Sequence, residues 1–393
     1  MNAKITWAAA LAVLLAAPAV RAEEPAAAPV VTDPRITFWG GEAGRPGEET
    51  DSYTVPTWAP SGPLRLSGYT WYDVGYLSRN NTQSGAYDQG ANYGQGRLVL
   101  GVQYRRELGA LFAEARAQFV AMDNEFTKSQ YEPHTQDAFL RIGQRTWDVQ
   151  VGRFLGWEPY YRGMGFDRYA AEEAGALGGP PMHRLESALG YMDEPSQLAA
   201  HWYPAEWAAL ELGGVYGQQS EQNKLGIRPV LALRGYGFTF VGGYEYFKES
   251  PQADNNKVEQ TTKGFSGRLQ YRIANVTVGA NATLMSVDAT QIDGLVDANK
   301  TLDGKTFGGF AEGWIGDLLL GGGYHFTQDD LKKGDHDKHH QAFVAAQYKL
   351  PIEGLSVKAV VGFSRAQLQD VDANTAWEND LTSFRVRLRY DFR

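Results

Sequence analysis

The stretch Phe384-Arg385-Val386-Arg387-Leu388-Arg389-Tyr390-Asp391-Phe392 alternates strictly between apolar and charged side chains. In an extended strand, successive side chains point to opposite faces. Phe384, Val386, Leu388, Tyr390 and Phe392 therefore share one face, and Arg385, Arg387, Arg389 and Asp391 share the other. A soluble sheet has no need of four consecutive charges behind five apolar residues. A transmembrane barrel wall does, because one face meets lipid and the other meets water.

The same period of two recurs upstream. It predicts strands near 64–78, 96–106, 110–122, 136–144, 147–154, 197–203, 207–217, 227–235, 237–247, 264–273, 275–287, 305–315, 318–327, 341–350, 354–367 and 382–392. Outward faces include Leu98/Leu100/Val102/Tyr104, Ala138/Leu140/Ile142 and Leu355/Val357/Ala359/Val361/Phe363. The connectors alternate in length. Short ones fall at 108–109, 144–146, 204–206, 236, 274, 316–317 and 351–353. Long ones fall at 79–95, 123–135, 155–196, 218–226, 248–263, 288–304, 328–340 and 368–381. Tight periplasmic turns and longer extracellular loops sort in this way in outer-membrane barrels. The fold expected is an all-β, antiparallel transmembrane barrel of about sixteen strands. Eighteen would result if 155–196 hid one more hairpin.

Composition agrees. The mean hydropathy is only −0.40, as befits a chain in which every second strand residue faces lipid. The absence of Cys removes disulfide frameworks and thiolate metal sites. A net charge of −9 argues against nucleic acid as a partner. Residues 1–22 read as a signal peptide: Lys4 gives the positive start, Ile5–Leu15 the apolar core, and Ala22 the cleavage point. An N-terminal membrane anchor is the other reading, but the apolar run is short for a span of about 20 residues. Cleavage would remove Lys4 and Arg21, leaving 35 basic and 46 acidic residues, a net −11. Residues 23–63, punctuated by Pro25, Pro29, Pro34, Pro46, Pro56, Pro60 and Pro63, hold no period. They read as an irregular periplasmic extension, or as a partial plug of the barrel mouth. Residues 64–393 form the barrel. Trp147, Trp202, Trp207 and Trp314 sit beside short turns, where an interfacial girdle is expected.

With the aromatic-ended strand Phe384–Phe392, the loop parity and a longest loop after the fifth strand, the chain resembles the sixteen-stranded porins of Gram-negative outer membranes. The resemblance covers 64–393 and implies outer-membrane localisation and a homotrimer. It also implies a channel for small hydrophilic solutes, with 155–196 folded into the lumen as a constriction. One departure stands out: such chains commonly end on the aromatic residue, and here Arg393 follows Phe392.

Strand parity sorts the charges. Lumen-facing cations are Arg65, Arg97, Arg105, Arg116, Arg141, Arg228, Arg234, Arg268, Arg272, Lys349, Lys358, Arg385, Arg387 and Arg389. Lumen-facing acids are Asp73, Glu114, Asp137, Asp148, Glu211, Glu245, Glu312 and Asp391. The interior is thus net positive, and the excess acids fall to loops, among them Asp123, Glu125, Glu249, Asp254, Asp329, Asp330, Asp335 and Asp337. If the last strand closes on the first, most of the cations share one wall, which would enrich anions. The candidate constriction holds Asp167, Arg168, Glu172, Glu173, Arg184 and Glu186. By the resemblance, its acids would face the basic wall.

His336-Asp337-Lys338-His339-His340 matches no closed zinc pattern and reads as a solvated loop; neither metal nor cofactor is expected. No G-x-S-x-G or H-E-x-x-H occurs, so the chain is read as a non-enzyme. Two other classes compete with the porin. One is a transporter of hydrophobic compounds with 23–63 as a hatch, which needs an apolar interior. The other is a filled barrel acting as enzyme or adhesin.

Overall fold

In hydrocarbon no water pairs the backbone, so a spanning sheet must close on itself. The computed structural model shows how this chain does so. It describes residues 57–58, 64–81, 89–124, 134–160, 183–185, 187–188, 196–219, 222–251, 258–291, 300–331, 336–370 and 375–392. The expected signal segment 1–22 and most of the extension 23–63 lie outside the described residues.

The strands are β1 (Thr57–Trp58), β2 (Leu64–Asn81), β3 (Gln89–Leu108), β4 (Leu111–Asn124), β5 (His134–Gly143), β6 (Trp147–Arg153), β7 (Ser196–Ala205), β8 (Ala208–Gln219), β9 (Gln222–Gly235), β10 (Phe238–Pro251), β11 (Val258–Ile273), β12 (Val276–Gln291), β13 (Lys300–Ile315), β14 (Leu318–Leu331), β15 (His336–Lys349), β16 (Leu355–Asp370) and β17 (Thr375–Phe392). From β2 to β17 each strand pairs antiparallel with the next, and β17 pairs with β2, placing Arg387 opposite Asp73. The two-residue β1 lies against the start of β2. The wall is therefore a closed barrel of sixteen strands. Because β6 pairs directly with β7, the segment 155–196 adds no hairpin to the wall, and the count of eighteen is set aside.

Each expected strand has its counterpart, but the strands run further at the long-loop end. The strand expected at 341–350 is His336–Lys349, that at 264–273 is Val258–Ile273, and that at 382–392 is Thr375–Phe392. Apolar alternation marks only the depth of the lipid, an apolar band about 25 Å tall. Hydrogen-bonded pairing continues beyond it. The expected loop 328–340 is accordingly corrected to residues 332–335, and 218–226 to residues 220–221. Glu249, Asp329, Asp330 and Asp337, expected in loops, stand on strands, and His339 is buried within the barrel.

The outer face shows the band directly. Along β12, Val276, Val278, Ala280, Ala282 and Leu284 point outward before Ser286 and Asp288 take over. At about 3.3 Å per residue that apolar run is roughly 26 Å along a tilted strand, the scale of the hydrocarbon. Trp147, Trp202 and Trp207 are exposed outside, beside short turns. Trp314 corrects the expected girdle. It shares the inner face with Glu312, where Lys349 lies over its ring at 4.3 Å. Nearness to a turn does not fix the face; parity does. Inside, the buried apolar residues form separate small clusters against the wall, such as Tyr69, Trp71, Val99 and Val120.

At the end of β6 the chain leaves the wall. Gly152 has φ +128°, and a Cβ there would strike the Ala138 carbonyl oxygen. A side chain would add strain of about 1–3 kcal/mol to a steric clash. Gly152→Val is expected to lower the fraction of barrel that keeps its folded, heat-modifiable mobility on electrophoresis. Gly109→Asn, at an open turn with φ +68°, should leave that fraction unchanged.

Candidate pore constriction

Two arms of the connector between β6 and β7 press against the inner wall. The outgoing arm, from Phe154 to Tyr160, carries Phe154, Trp157 and Tyr160, all buried. The Phe154 amide donates to Gln197 Oε1 (3.2 Å) and the Trp157 amide to Glu211 Oε1 (2.8 Å). Arg228 Nη1 donates to the Trp157 carbonyl, and its Nη2 reaches Glu211 Oε1 at 3.1 Å. Glu211 Oε2 meets His201 Nε2 at 3.0 Å, and His201 Nδ1 meets Asp148 at 2.6 Å. The Tyr203 hydroxyl donates to the same Asp148 (3.0 Å). The Trp157 ring stacks on His201 with centroids 5.2 Å apart. Each charge in this buried network has an opposite charge and a hydrogen bond, which buried ions require.

Tyr160 and the returning arm reach the far strands. The Tyr160 hydroxyl bonds His325 Nδ1 at 2.6 Å. The His183 amide donates to Thr306 Oγ1 (2.9 Å), and its Nε2 bonds Asp329. Ser187 and Ala188 amides donate to the two oxygens of Glu245 (3.2 and 2.9 Å). The inner face of β13 is smooth where these side chains land. A Cβ at Gly304 would meet the His183 ring, and one at Gly308 would meet His325 and the Tyr160 hydroxyl. The arms thus stand on β7, β8, β9, β10, β13 and β14.

The arc β16–β17–β2–β3–β4–β5, continuous because β17 pairs with β2, holds the cations gathered by parity. Asp73, fully buried, accepts from Arg385 Nη1 (3.1 Å) and from Arg387 Nε and Nη2 (2.7 and 2.9 Å). Arg387 lies over Trp71 and Arg389 over Tyr69, at 4.0 and 4.6 Å from the ring centres. Arg389 also bonds Asp391 (2.7 Å). Glu114 is shared by Arg141 (2.6 Å) and Arg105 (3.4 Å), and Arg116 approaches Asp137 at 3.4 Å. Lys358 is buried in the wall, and Arg97 is half-buried in it. On β9 and β11, Arg228 and Arg268 are fully buried.

Three of the parity-selected cations sit at the short-turn rim instead. Arg234 donates to the Glu206 carbonyl (2.8 Å), Arg272 lies beside Ala274, and Lys349 covers Trp314. The side chain of Arg65 lies outside the described residues, as do Asp167, Arg168, Glu172, Glu173 and Glu186. Arg184 is described and meets Glu158 at 3.4 Å.

Strand parity gives the anchors Asp148, Glu211, Arg228 and Glu245 their inward face, whereas Trp157, His201 and His325 carry no motif that marks them as partners of the connector. Asp329, expected in a loop, stands on β14, where inner-face parity runs unbroken through His325, Thr327 and Asp329. That continuation is the signal that could have found it. Among the described residues no cluster of side chains has the makings of a metal site.

No protein-family model matches the sequence, and a search of curated proteins returns no significant match. Solved structures do match. An anion-selective porin from Comamonas acidovorans aligns with TM-score 0.57 at 14% identity, over 84% of this chain and 99% of that one. OmpT, an outer membrane protein of Vibrio cholerae in its trimer form, aligns with TM-score 0.56 at 12% identity, over 84% and 100%. The outer membrane channel DcaP of Acinetobacter baumannii aligns with TM-score 0.54 at 11% identity, over 84% and 97%. A closed sixteen-strand wall, an apolar exterior and these matches lead to one conclusion: the chain has the fold of the sixteen-stranded outer-membrane porins.

Proposed function

We propose that this protein is a passive diffusion channel of the outer membrane, made for small hydrophilic solutes and favouring anions. The observation that carries the reading is the sign of the wall facing the connector. Along the arc from β16 to β5, the described inner-face side chains include eight cations: Lys358, Arg385, Arg387, Arg389, Arg97, Arg105, Arg116 and Arg141. Against them stand five carboxylates: Asp73, Glu107, Glu114, Asp137 and Asp391. Pairing holds the guanidinium groups in place without cancelling the excess. Asp73 serves two arginines, and so does Glu114. A one-sign wall beside low-dielectric protein concentrates counter-ions, and arginine forks suit carboxylate and phosphate solutes. One structural relative is itself an anion-selective porin.

The anchored connector is the narrowing element in this reading. The chain is exported by cleavage near Ala22, leaves 23–63 in the periplasm and assembles as a trimer, the form recorded for one relative. It catalyses no reaction.

Purified protein in a planar bilayer should give ohmic single-channel steps and a reversal potential shifted toward anions in a salt gradient. The triple change Arg385→Ala, Arg387→Ala and Arg389→Ala should reduce that shift. A cation-selective pore overturns the anion preference. Absence of steps from folded protein overturns the channel and favours a filled barrel. Uptake confined to apolar solutes in liposome swelling favours a transporter of hydrophobic compounds.

Loosening the connector should widen the pore. Glu245→Ala removes the carboxylate that receives the Ser187 and Ala188 amides, leaving the buried Ala188 donor unpaired at a cost of about 1–3 kcal/mol. The expected result is larger, noisier single-channel conductance with heat-modifiable mobility retained. Unchanged conductance would show that the returning arm does not gate the lumen.

A further inference from the structure

The short strand β1 fixes where the N-terminal part of the chain meets the barrel. Thr57 pairs with Ser67 and Trp58 with Leu66, while β17 pairs with β2 as far as Phe392 opposite Gly68. β1 therefore takes up the edge of β2 one residue beyond the end of β17. Both run antiparallel to β2, so β1 points as β17 does, toward the short-turn rim. A chain entering β1 in that direction comes from the depth of the barrel, where β17 already holds the edge. Two approaches to Thr57 remain, one from the lipid side of the seam and one from the lumen side.

Charge decides between them. The approach to β1 contains Glu48-Glu49-Thr50-Asp51, three carboxylates in four residues. Outside the seam, β2 and β3 expose Leu64, Val102 and Tyr104, with Leu64 opposite Tyr104. Such an apolar surface faces hydrocarbon, where carboxylates are costly. Inside the seam stands the basic arc, in which eight cations meet five carboxylates. Its excess of three positive charges matches the three carboxylates of the run.

The lengths agree as well. Asp51 lies six residues before Thr57 and Glu48 nine, which sets their reach at about 20 and 31 Å. Arg389 pairs with Trp71 and Arg385 with Gly75, four and eight residues along β2 from Ser67. At about 3.3 Å per residue, these arginines stand roughly 13 and 26 Å from β1. The whole row Arg385–Arg387–Arg389 is within range.

We infer that Glu48, Glu49 and Asp51 dock on this row at the short-turn mouth and act as a tethered counter-anion on the wall that entering anions use. A short tether keeps its charges at an effective concentration on the order of millimolar. Multivalent carboxylates or phosphates displace the run more readily than chloride does, because each engages several guanidinium groups at once. The contact itself does not depend on what the barrel conducts; its effect on conduction rests on the channel reading.

The chain has no Cys, so introduced cysteine pairs report the contact in full-length folded barrel. Thr50→Cys with Asp391→Cys, a position on the inner face, is compared under mild oxidation with Thr50→Cys with Tyr390→Cys, a position on the outer face. A disulfide should form at 391 and not at 390. Its yield should fall at least about threefold in 1 M salt, where the screening length is about 3 Å, and likewise when Glu48→Gln, Glu49→Gln and Asp51→Asn are added. In planar bilayers that triple change alone should raise the anion-to-cation permeability ratio roughly twofold or more. Cross-linking at 390, at neither position, or to the same yield without the three carboxylates overturns the docking. Cross-linking at 391 with an unchanged permeability ratio overturns the counter-anion role. Cross-linking at 391 in a barrel that gives no conductance steps supports the docking and counts against the channel.

Discussion

Backbone amides inside a bilayer have nothing to bond except each other, and the rest of this structure follows from that shortage. It forces the sheet to close and makes the pairing of β17 with β2 the join on which the barrel depends. The chain reinforces that join where two walls of opposite sequence origin meet. Asp73 sits opposite Arg387 and also takes Arg385, so strands more than 300 residues apart in sequence are fixed in register by a buried charge network. A slip of one residue would turn three arginines into lipid, at about 2–4 kcal/mol each near the midplane. The attraction inside and the penalty outside specify the same register.

Closure then divides the interior. One half carries the arginines, seated on Tyr69, Trp71 and Phe112. The other half receives the connector, using Glu211, Arg228, Glu245, His325 and Asp329 as fixed points. The two halves are stabilised by the same physics in opposite senses. In the first, shared carboxylates hold the guanidinium groups at the wall while leaving net positive charge. In the second, carboxylates and imidazoles take up the backbone and side-chain groups of an inserted segment, which could not be buried unpaired. An apolar filling would serve neither, and the buried apolar residues are confined to small patches beneath these networks.

The outside is as ordered as the inside. Five or so outward residues per strand meet hydrocarbon, aromatics mark its edges, and pairing continues into the headgroup region with polar side chains. The charge there is not uniform. On β10 to β17 cations and carboxylates stand there in pairs, such as Lys263 with Asp288 and Arg365 with Asp380, whereas Ser78 on β2 and Asn223 on β9 are neutral.

The sequence alone determined the wall. A period of two, read from Phe384–Phe392 and its repeats, set the strand number at about sixteen, the inward face of Arg385 and Arg387 and the place of the short turns, because parity in a strand is local geometry. Alternation reports lipid depth and not hydrogen bonding, so it does not mark where strands end, and Asp329 and His339 lie on strands beyond the alternating stretch. The sequence misplaced Trp314, where nearness to a turn outweighed parity. Only the tertiary structure decided which partners the charges take. That Asp73 joins Arg385 to Arg387, that Glu211 holds Trp157, and that His183 finds Asp329 across 146 residues depend on how a closed sheet curves and where an inserted segment comes to rest. No local pattern encodes those contacts, because each is made between segments that only barrel closure brings together.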